Sequence, residues 1–206
     1  MTTPTLRLGI LASHAGSTMQ AVIDGCASGA INAEIALVIS NNGSSLALER
    51  AKKAEIATAH LSKGTHKNTE DLDNAILEAL KEAEVDLVLL CGYMKKLGTP
   101  TLTHFQGRLL NTHPSLLPKY GGQGFYGRKV HEAVIAAGDS ESGVTLHQVA
   151  EVYDSGEIVD QRRVPVLPTD TAADLEDRVK KAERSLLVDT LAQISSENPH
   201  QESTSP

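Results

Sequence analysis

The sequence predicts an α/β protein: a mostly parallel sheet with helices on both faces and an antiparallel edge. Three observations carry this. Short apolar runs alternate with segments of helical spacing through the first 112 residues, the pattern of a parallel sheet with helical crossovers. Asp86–Cys91 (DLVLLC) is apolar without interruption, as in a central strand buried on both faces. Gly143–Val149 and Ile158–Val164 alternate in polarity across a turn-like Tyr153–Gly156, which suggests an antiparallel pair at one edge.

Each element has its own signal. Leu6–Ala12 (LRLGILA) opens the sheet, and Ser13–Thr18 (SHAGST) turns into a helix over Met19–Ala27. Gly29 stands where a left-handed residue would end that helix. Ile35–Ser40 is a second strand closed by Asn41-Asn42-Gly43, Leu46–Ala54 a helix, and Ala57–Leu61 a weak third strand. Asn68 or Thr69 caps a helix running to Ala83, with Leu72, Ala75, Ile76, Ala79 and Leu80 on one face. Arg108–Thr112 is a short strand, His113–Gly127 a loop with four glycines and two prolines, and Val130–Ala137 a short helix. Thr171–Ile194 is a long amphipathic helix striped by Leu175, Val179, Ala182, Leu186 and Leu187. We read residues 1–194 as one domain and 195–206 as a polar tail with little order of its own.

The 206 residues suit that reading, with 40% apolar and 3% aromatic content calling for an aliphatic core. A net charge of −7 argues against nonspecific binding to nucleic acid or an anionic membrane, both of which need a basic face. Cys26 and Cys91 form neither a CxxC nor a zinc pattern. No apolar run reaches the length of a membrane span, and the first residues lack the layout of a secretion signal. The expectation is a cytoplasmic protein.

In an open parallel sheet, ligands gather at the carboxyl ends of the strands. The turn at Gly16, Ser17 and Thr18 leads into a helix whose free N–H groups favour a phosphate. Helix capping is the commoner use of such residues. Asn111-Thr112-His113 is the stronger signal. Alternation puts Asn111 and His113 on one side of the chain, an amide donor for an oxyanion beside an imidazole that moves protons near neutral pH. A polar strand end of no chemical use is about as common for an isolated Asn-x-His. A zinc role for His113 lacks the further ligands such a site needs. Asp154 is an ordinary turn former unless the edge strands carry it to His113. His147 reads first as a structural histidine. Lys180, Lys181 and Glu183 are a solvated helix face unless they border a ligand.

Several of these segments together resemble the folate-dependent formyltransferases. They are Gly107–Tyr120 (GRLLNTHPSLLPKY), the AGST turn, CGYMKKL at 91–97, and GVTLHQVAEVYDSGEIV at 143–159. The likeness runs over about residues 6–190, and SLLPKY after His113 resembles the branch acting on a ribonucleotide. It implies a Rossmann-like formyltransferase fold with a mixed seven-stranded sheet. The implied donor is 10-formyltetrahydrofolate, a cosubstrate, with no tightly bound cofactor and no metal. The implied acceptor is the amine of 5-phosphoribosyl glycinamide, in purine biosynthesis. Asn111, His113 and Asp154 match the catalytic triplet. Gly16, Ser17 and Thr18 match the phosphate turn, and Lys180 and Glu183 match residues that help hold the acceptor. Met94, Lys95, Lys96 and Leu97, with Asn111, match the folate contacts. The sequence departs at His14-Ala15, where the family often has Gly-Asn, at Thr18, and at Lys95, where an arginine is common. A formyltetrahydrofolate deformylase, another folate-dependent formyltransferase and a non-catalytic binding module are the competing readings. Room is left for a homodimer.

Overall fold

The computed structural model describes residues 5–197. Seven strands and six helices follow in the order β1 (Leu6–Ala12), α1 (Ser17–Ala27), β2 (Ala33–Ser40), α2 (Leu46–Lys53), β3 (Thr58–His60), α3 (Thr69–Glu82), β4 (Leu87–Leu90), α4 (Thr99–His104), β5 (Leu109–His113), α5 (Arg128–Ala137), β6 (Glu141–Gln148), β7 (Ile158–Pro165) and α6 (Ala172–Ser196). The sheet order is β3-β2-β1-β4-β5-β6-β7, so the fold is the mixed, mostly parallel seven-stranded α/β class expected. Two compact units make it up. One runs to Leu109 and resumes at Val188; the other is Leu110–Leu187. The tail expected at 195–206 lies outside the described residues from 198 on, while Ser195 and Ser196 close α6.

In the first unit β1 pairs in parallel with β2 and with β4. Leu8, Ile10, Leu11, Val38, Ile39, Val88 and Leu89 are all but inaccessible to solvent. Each such side chain contributes about 1.5–3 kcal/mol of transfer free energy, which is why these runs settle into the middle of a sheet. α2 and α3 begin where polar side chains satisfy free N–H groups. Ser45 accepts from Leu48 N, and Asn68 accepts from Asp71 N at 2.8 Å. α4 has no counterpart in the sequence reading. Its TPTLTH segment lacks apolar periodicity, and its start is built from outside: the buried Asp73 carboxylate on α3 accepts from Gly98 N at 2.6 Å and Thr101 N at 3.1 Å.

The second unit is antiparallel. β5 pairs with β6, Asn111 opposite His147 and His113 opposite Thr145. β6 pairs with β7 from Glu141↔Pro165 to His147↔Ile158, with a bulge between Leu146 and His147. α6 begins on a reciprocal cap, Asp174 N donating to Thr171 Oγ1 and Thr171 N donating to Asp174 Oδ2. Leu175, Val179, Leu186 and Leu187 form its buried stripe. The Arg178 guanidinium forks onto Asp170 and holds that carboxyl down at about 2.

Candidate active site

The first unit presents two of the predicted segments. After β1 the chain turns through Gly16, whose left-handed φ of 66° makes it the N-cap of α1. A Cβ there would stand 2.9 Å from the Ala47 Cβ, so glycine is required for both backbone and space. No side chain caps α1. Capping, the commoner use of Ser17 and Thr18, is therefore not what they do. Both lie in the first helical turn, Ser17 exposed and Thr18 half-buried. The turn is braced from α2: Ala47 N donates to His14 O, and Arg50 Nε donates to Ala15 O. The Met94–Leu97 segment is tied to the same strand end. The buried Ser13 hydroxyl donates to Asn41 Oδ1 at 2.5 Å and accepts from Met94 N at 2.8 Å. Met94, Lys95 and Lys96 are exposed and Leu97 is buried. Lys95 and Lys96 also line a cavity of about 440 Å³ with Leu72, Asp73, Ile76 and Tyr93. Burial, aided by the Asp73 charge, pushes the Tyr93 phenol up to about 12.

The second unit gathers the triplet. Asp154 has a left-handed φ of 55° in the β6–β7 turn. Gly156 lets that turn close, because a Cβ there would sit 1.7 Å from the Gln148 carbonyl oxygen. The turn brings Asp154 Oδ2 to 3.4 Å from His113 Nδ1, with Oδ1 3.6 Å from His147 Nε2. The second distance is an electrostatic contact, beyond hydrogen-bond reach. Gly122 N, from the loop after β5, donates to Asp154 Oδ2 at 2.8 Å. The expected meeting of the turn acid with the strand-end imidazole therefore holds.

Proton positions follow from the fixed acceptors. His113 Nε2 is 2.7 Å from the Tyr120 carbonyl, which can only accept, so Nε2 carries a proton and Nδ1 faces the carboxylate. His147 Nδ1 is 2.9 Å from the Gln148 carbonyl and carries a proton for the same reason. Its Nε2 then accepts from Asn111 Nδ2 at 3.1 Å. One amide hydrogen of Asn111 remains for a ligand. Burial pushes His147 below the ordinary imidazole range, against the Gln148 carbonyl and the Asp154 charge, which fits its neutral, accepting role. His147 is thus the link between Asn111 and Asp154. The bulge beside it and its place opposite Asn111 are features of pairing that the sequence alone did not display.

Thr112 points to the other side of β5 and donates to Glu183 Oε1 at 2.5 Å, orienting that carboxylate. Lys180 is exposed and pairs with Glu176 at 2.6 Å, and Arg128 reaches the same carboxylate at 2.7 Å. Glu176, with Arg128, is the partner the sequence reading did not name. Among the described residues no group of three or more His, Cys, Asp or Glu is placed to hold a metal ion, and no helix is long and apolar enough to cross a membrane.

A strand-end amide, an imidazole and a turn carboxylate on a mixed α/β sheet offer the donor and proton-moving groups that transfer at a carbonyl can use. The chain belongs to the formyl transferase family, whose sequence model matches residues 6–191. Its relatives are narrower than that class. It is 44% identical over 178 residues to the phosphoribosylglycinamide formyltransferase of Haemophilus influenzae, covering 86% of this chain and 81% of that protein. It is 40% identical to the trifunctional purine biosynthetic protein adenosine-3 of Bos taurus over 92% of this chain, but spans only 18% of that protein. The crystal structure of glycinamide ribonucleotide transformylase 1 from Symbiobacterium toebii matches with a TM-score of 0.87 at 35% identity, covering 94% of this chain and 89% of that one.

Proposed function

We propose that this chain transfers the formyl group of 10-formyltetrahydrofolate to the amine of 5-phosphoribosyl glycinamide, in purine biosynthesis in the cytoplasm. The observation that carries the reading is the polar cluster of the second unit, in which Asp154 stands between His113 and His147 while Asn111 keeps one amide hydrogen free.

The amine attacks the formyl carbon, a C–N bond forms, and the carbonyl oxygen becomes an oxyanion. Asn111 donates its remaining N–H to that oxygen. His113 does the same from Nδ1, the nitrogen not tied to the Tyr120 carbonyl. A donor aimed at a developing oxyanion is worth about 2.7–4 kcal/mol where one has been removed from another enzyme. Asp154 accepts the proton that the amine sheds, through a water, and its Oδ2 faces His113 Nδ1 at 3.4 Å. The tetrahedral intermediate collapses with cleavage of the bond to N10 of the folate, which leaves with the proton Asp154 had accepted, returned through the same water. Every atom and proton is accounted for without a metal or a redox group.

In the first unit we assign Gly16, Ser17 and Thr18 to the acceptor's phosphate, through the uncapped N–H groups of α1. Met94, Lys95, Lys96 and Leu97 we assign to the folate. In the second, Lys180 and Glu183 help hold the acceptor, and Asn111 also touches the donor. The folate is a cosubstrate that leaves after each turnover, so no tightly bound cofactor is called for. Both partners are small molecules; a homodimer is compatible with this reading, and nucleic acid and membrane have no part in it.

The test is the amine. Incubated with 10-formyltetrahydrofolate, the protein should release tetrahydrofolate only when glycinamide ribonucleotide is present. Release at the same rate without the amine would make it a deformylase. Binding of both ligands without turnover would leave a binding module.

A further inference from the structure

The loop after β5 contains a feature that the transfer chemistry does not use directly. His113 has both ring nitrogens engaged, and the partner of Nε2 is a backbone atom, the Tyr120 carbonyl at 2.7 Å. Tyr120 turns that carbonyl inward through a left-handed φ of 55°, a conformation disfavoured for any residue with a Cβ. It needs an external restraint. One restraint is on the preceding residue, where the Ser115 hydroxyl donates to the Lys119 carbonyl at 2.6 Å. The other is on Tyr120 itself, whose hydroxyl donates to Asp139 Oδ2 at 2.9 Å. Asp139 follows Gly138, the left-handed C-cap of α5, so it is fixed to the end of a helix.

Apart from the tether, the ring meets Phe125 edge-on, with 6.1 Å between centroids. Tyr120 forms a wall of a cavity of about 330 Å³, together with Leu116, Val134, Asp139 and Gln161. Without its tether the ring has space to swing, and the left-handed backbone that aims the carbonyl loses one of its restraints. The Lys119–Asp139 pair at 3.1 Å is a separate contact, made by a largely exposed lysine, and such pairs contribute little.

We propose that Asp139 and Tyr120 act as positioning residues for His113, a latch in which the Asp139 carboxylate anchors the Tyr120 hydroxyl so that the Tyr120 carbonyl keeps a proton on Nε2 and leaves Nδ1, the nitrogen that donates in the transfer, turned toward Asp154. The proposal rests on the assignment of His113 to formyl transfer. Each acts through His113.

Tyr120→Phe retains the ring and the carbonyl and removes only the tether; Asp139→Ala removes it from the other end. In each, kcat should fall about tenfold, short of the ~10²-fold that a 1 Å displacement of a reacting group can cost. KM for both substrates should stay within about twofold, on the same principle that the latch acts on the reacting geometry and not on binding. The double variant should be no worse than the worse single one, because both break one interaction. Lys119→Met should behave as the parent. The ring ¹⁵N resonances of His113, assigned by difference from His113→Gln, should show Nε2 holding its proton in the parent, with or without a second proton on Nδ1, and losing it to tautomer exchange in Tyr120→Phe and Asp139→Ala. That spectrum needs no turnover, so it tests the latch even if the formyl acceptor is a different molecule. An unchanged spectrum overturns the proposal. So does a changed spectrum with unchanged kcat, and so does a joint fall of kcat, affinity and melting temperature.

Discussion

The two strand ends that carry the candidate chemistry are built in opposite ways. At the end of β1 the polar groups on offer are backbone N–H groups of an uncapped helix, with exposed Ser17 beside them. At the end of β5 they are side chains, buried or half-buried and each held by a fixed partner: His113 by the Tyr120 carbonyl, Asn111 by His147, Asp154 by the Gly122 N–H. An anion that only has to be held can be met by fixed dipoles open to solvent. A group that must accept charge as it develops is better served by donors already aimed before the reaction begins. The contrast predicts that lesions in the second unit damage turnover, while lesions at the first turn damage affinity.

The largest expected effect comes from Asp154→Asn. The amide keeps the shape, but cannot take a proton or carry the charge that faces His113 Nδ1 at 3.4 Å and His147 Nε2 at 3.6 Å. Turnover should drop roughly 10²–10⁴-fold, the range of a lost proton-transfer group, with acceptor and donor KM nearly unchanged. Steady-state kinetics with both substrates varied checks this; near-normal turnover would remove Asp154 from the chemistry and break the contrast at its stronger end.

Gly156→Ala should follow. The added Cβ would collide with the Gln148 carbonyl at 1.7 Å, and backbone cannot yield as a side-chain tip can. The β6–β7 turn would have to open, at a cost of about 2–4 kcal/mol. For a chain this size that lowers the melting temperature by roughly 5–15 °C, and it withdraws Asp154 as well. Calorimetry beside an activity assay separates the two consequences. A variant of normal stability and low activity would show that the turn moves without unfolding its neighbours.

These two cases show what the sequence made legible. Apolar runs and cap residues placed the strands and most helices to within a residue or two, because those signals are local: Leu6–Ala12 is β1 as read, and Asn68, one of the two candidate caps, starts α3. α4 escaped because its start is satisfied by Asp73, 25 residues before Gly98. At the candidate site, Asn111 and His113 were legible by alternation, and Asp154 by its turn. His147 was not, since its partner Asn111 lies 36 residues away and their meeting depends on strand register. The Tyr120 carbonyl had no signal at all, as every residue carries a carbonyl. Function that rests on side-chain type can be read along a chain; function that rests on backbone direction or on pairing cannot.

Thr18→Pro sharpens the other side of the contrast. Thr18 is the second residue of α1, where proline is tolerated and its lost N–H has no intrahelical acceptor. The fold should survive and only a donor to the ligand should vanish. A charge-assisted hydrogen bond of this sort contributes about 1.5–3 kcal/mol, so acceptor KM should rise roughly tenfold or more while donor KM and kcat move little. Equal weakening of both substrates would count against the phosphate assignment.

The smallest effect concerns His131, on the inner face of α5 and 1% exposed, with Nδ1 lacking a hydrogen-bond partner. Burial holds it below the ordinary imidazole value of 6.5, outweighing the nearby Glu176 carboxylate. A histidine whose pKa is lower folded than unfolded binds protons more readily when unfolded. Its contribution to stability is therefore complete above about pH 6.5 and is lost as pH falls from there toward the folded value. His147, lowered for the same first reason, acts in the same direction, but replacing it would also disturb Asn111. His131→Leu removes one titration from the fold and none of the hydrogen bonds that His113, Asn111 and Asp154 make. Between pH 7.5 and 5.5 the parent's melting temperature should fall by a few degrees more than the variant's, about 2–4 °C for each kcal/mol of linkage. Parallel falls in both proteins would place the acid sensitivity elsewhere, in the paired carboxylates of α6 or in His147 itself.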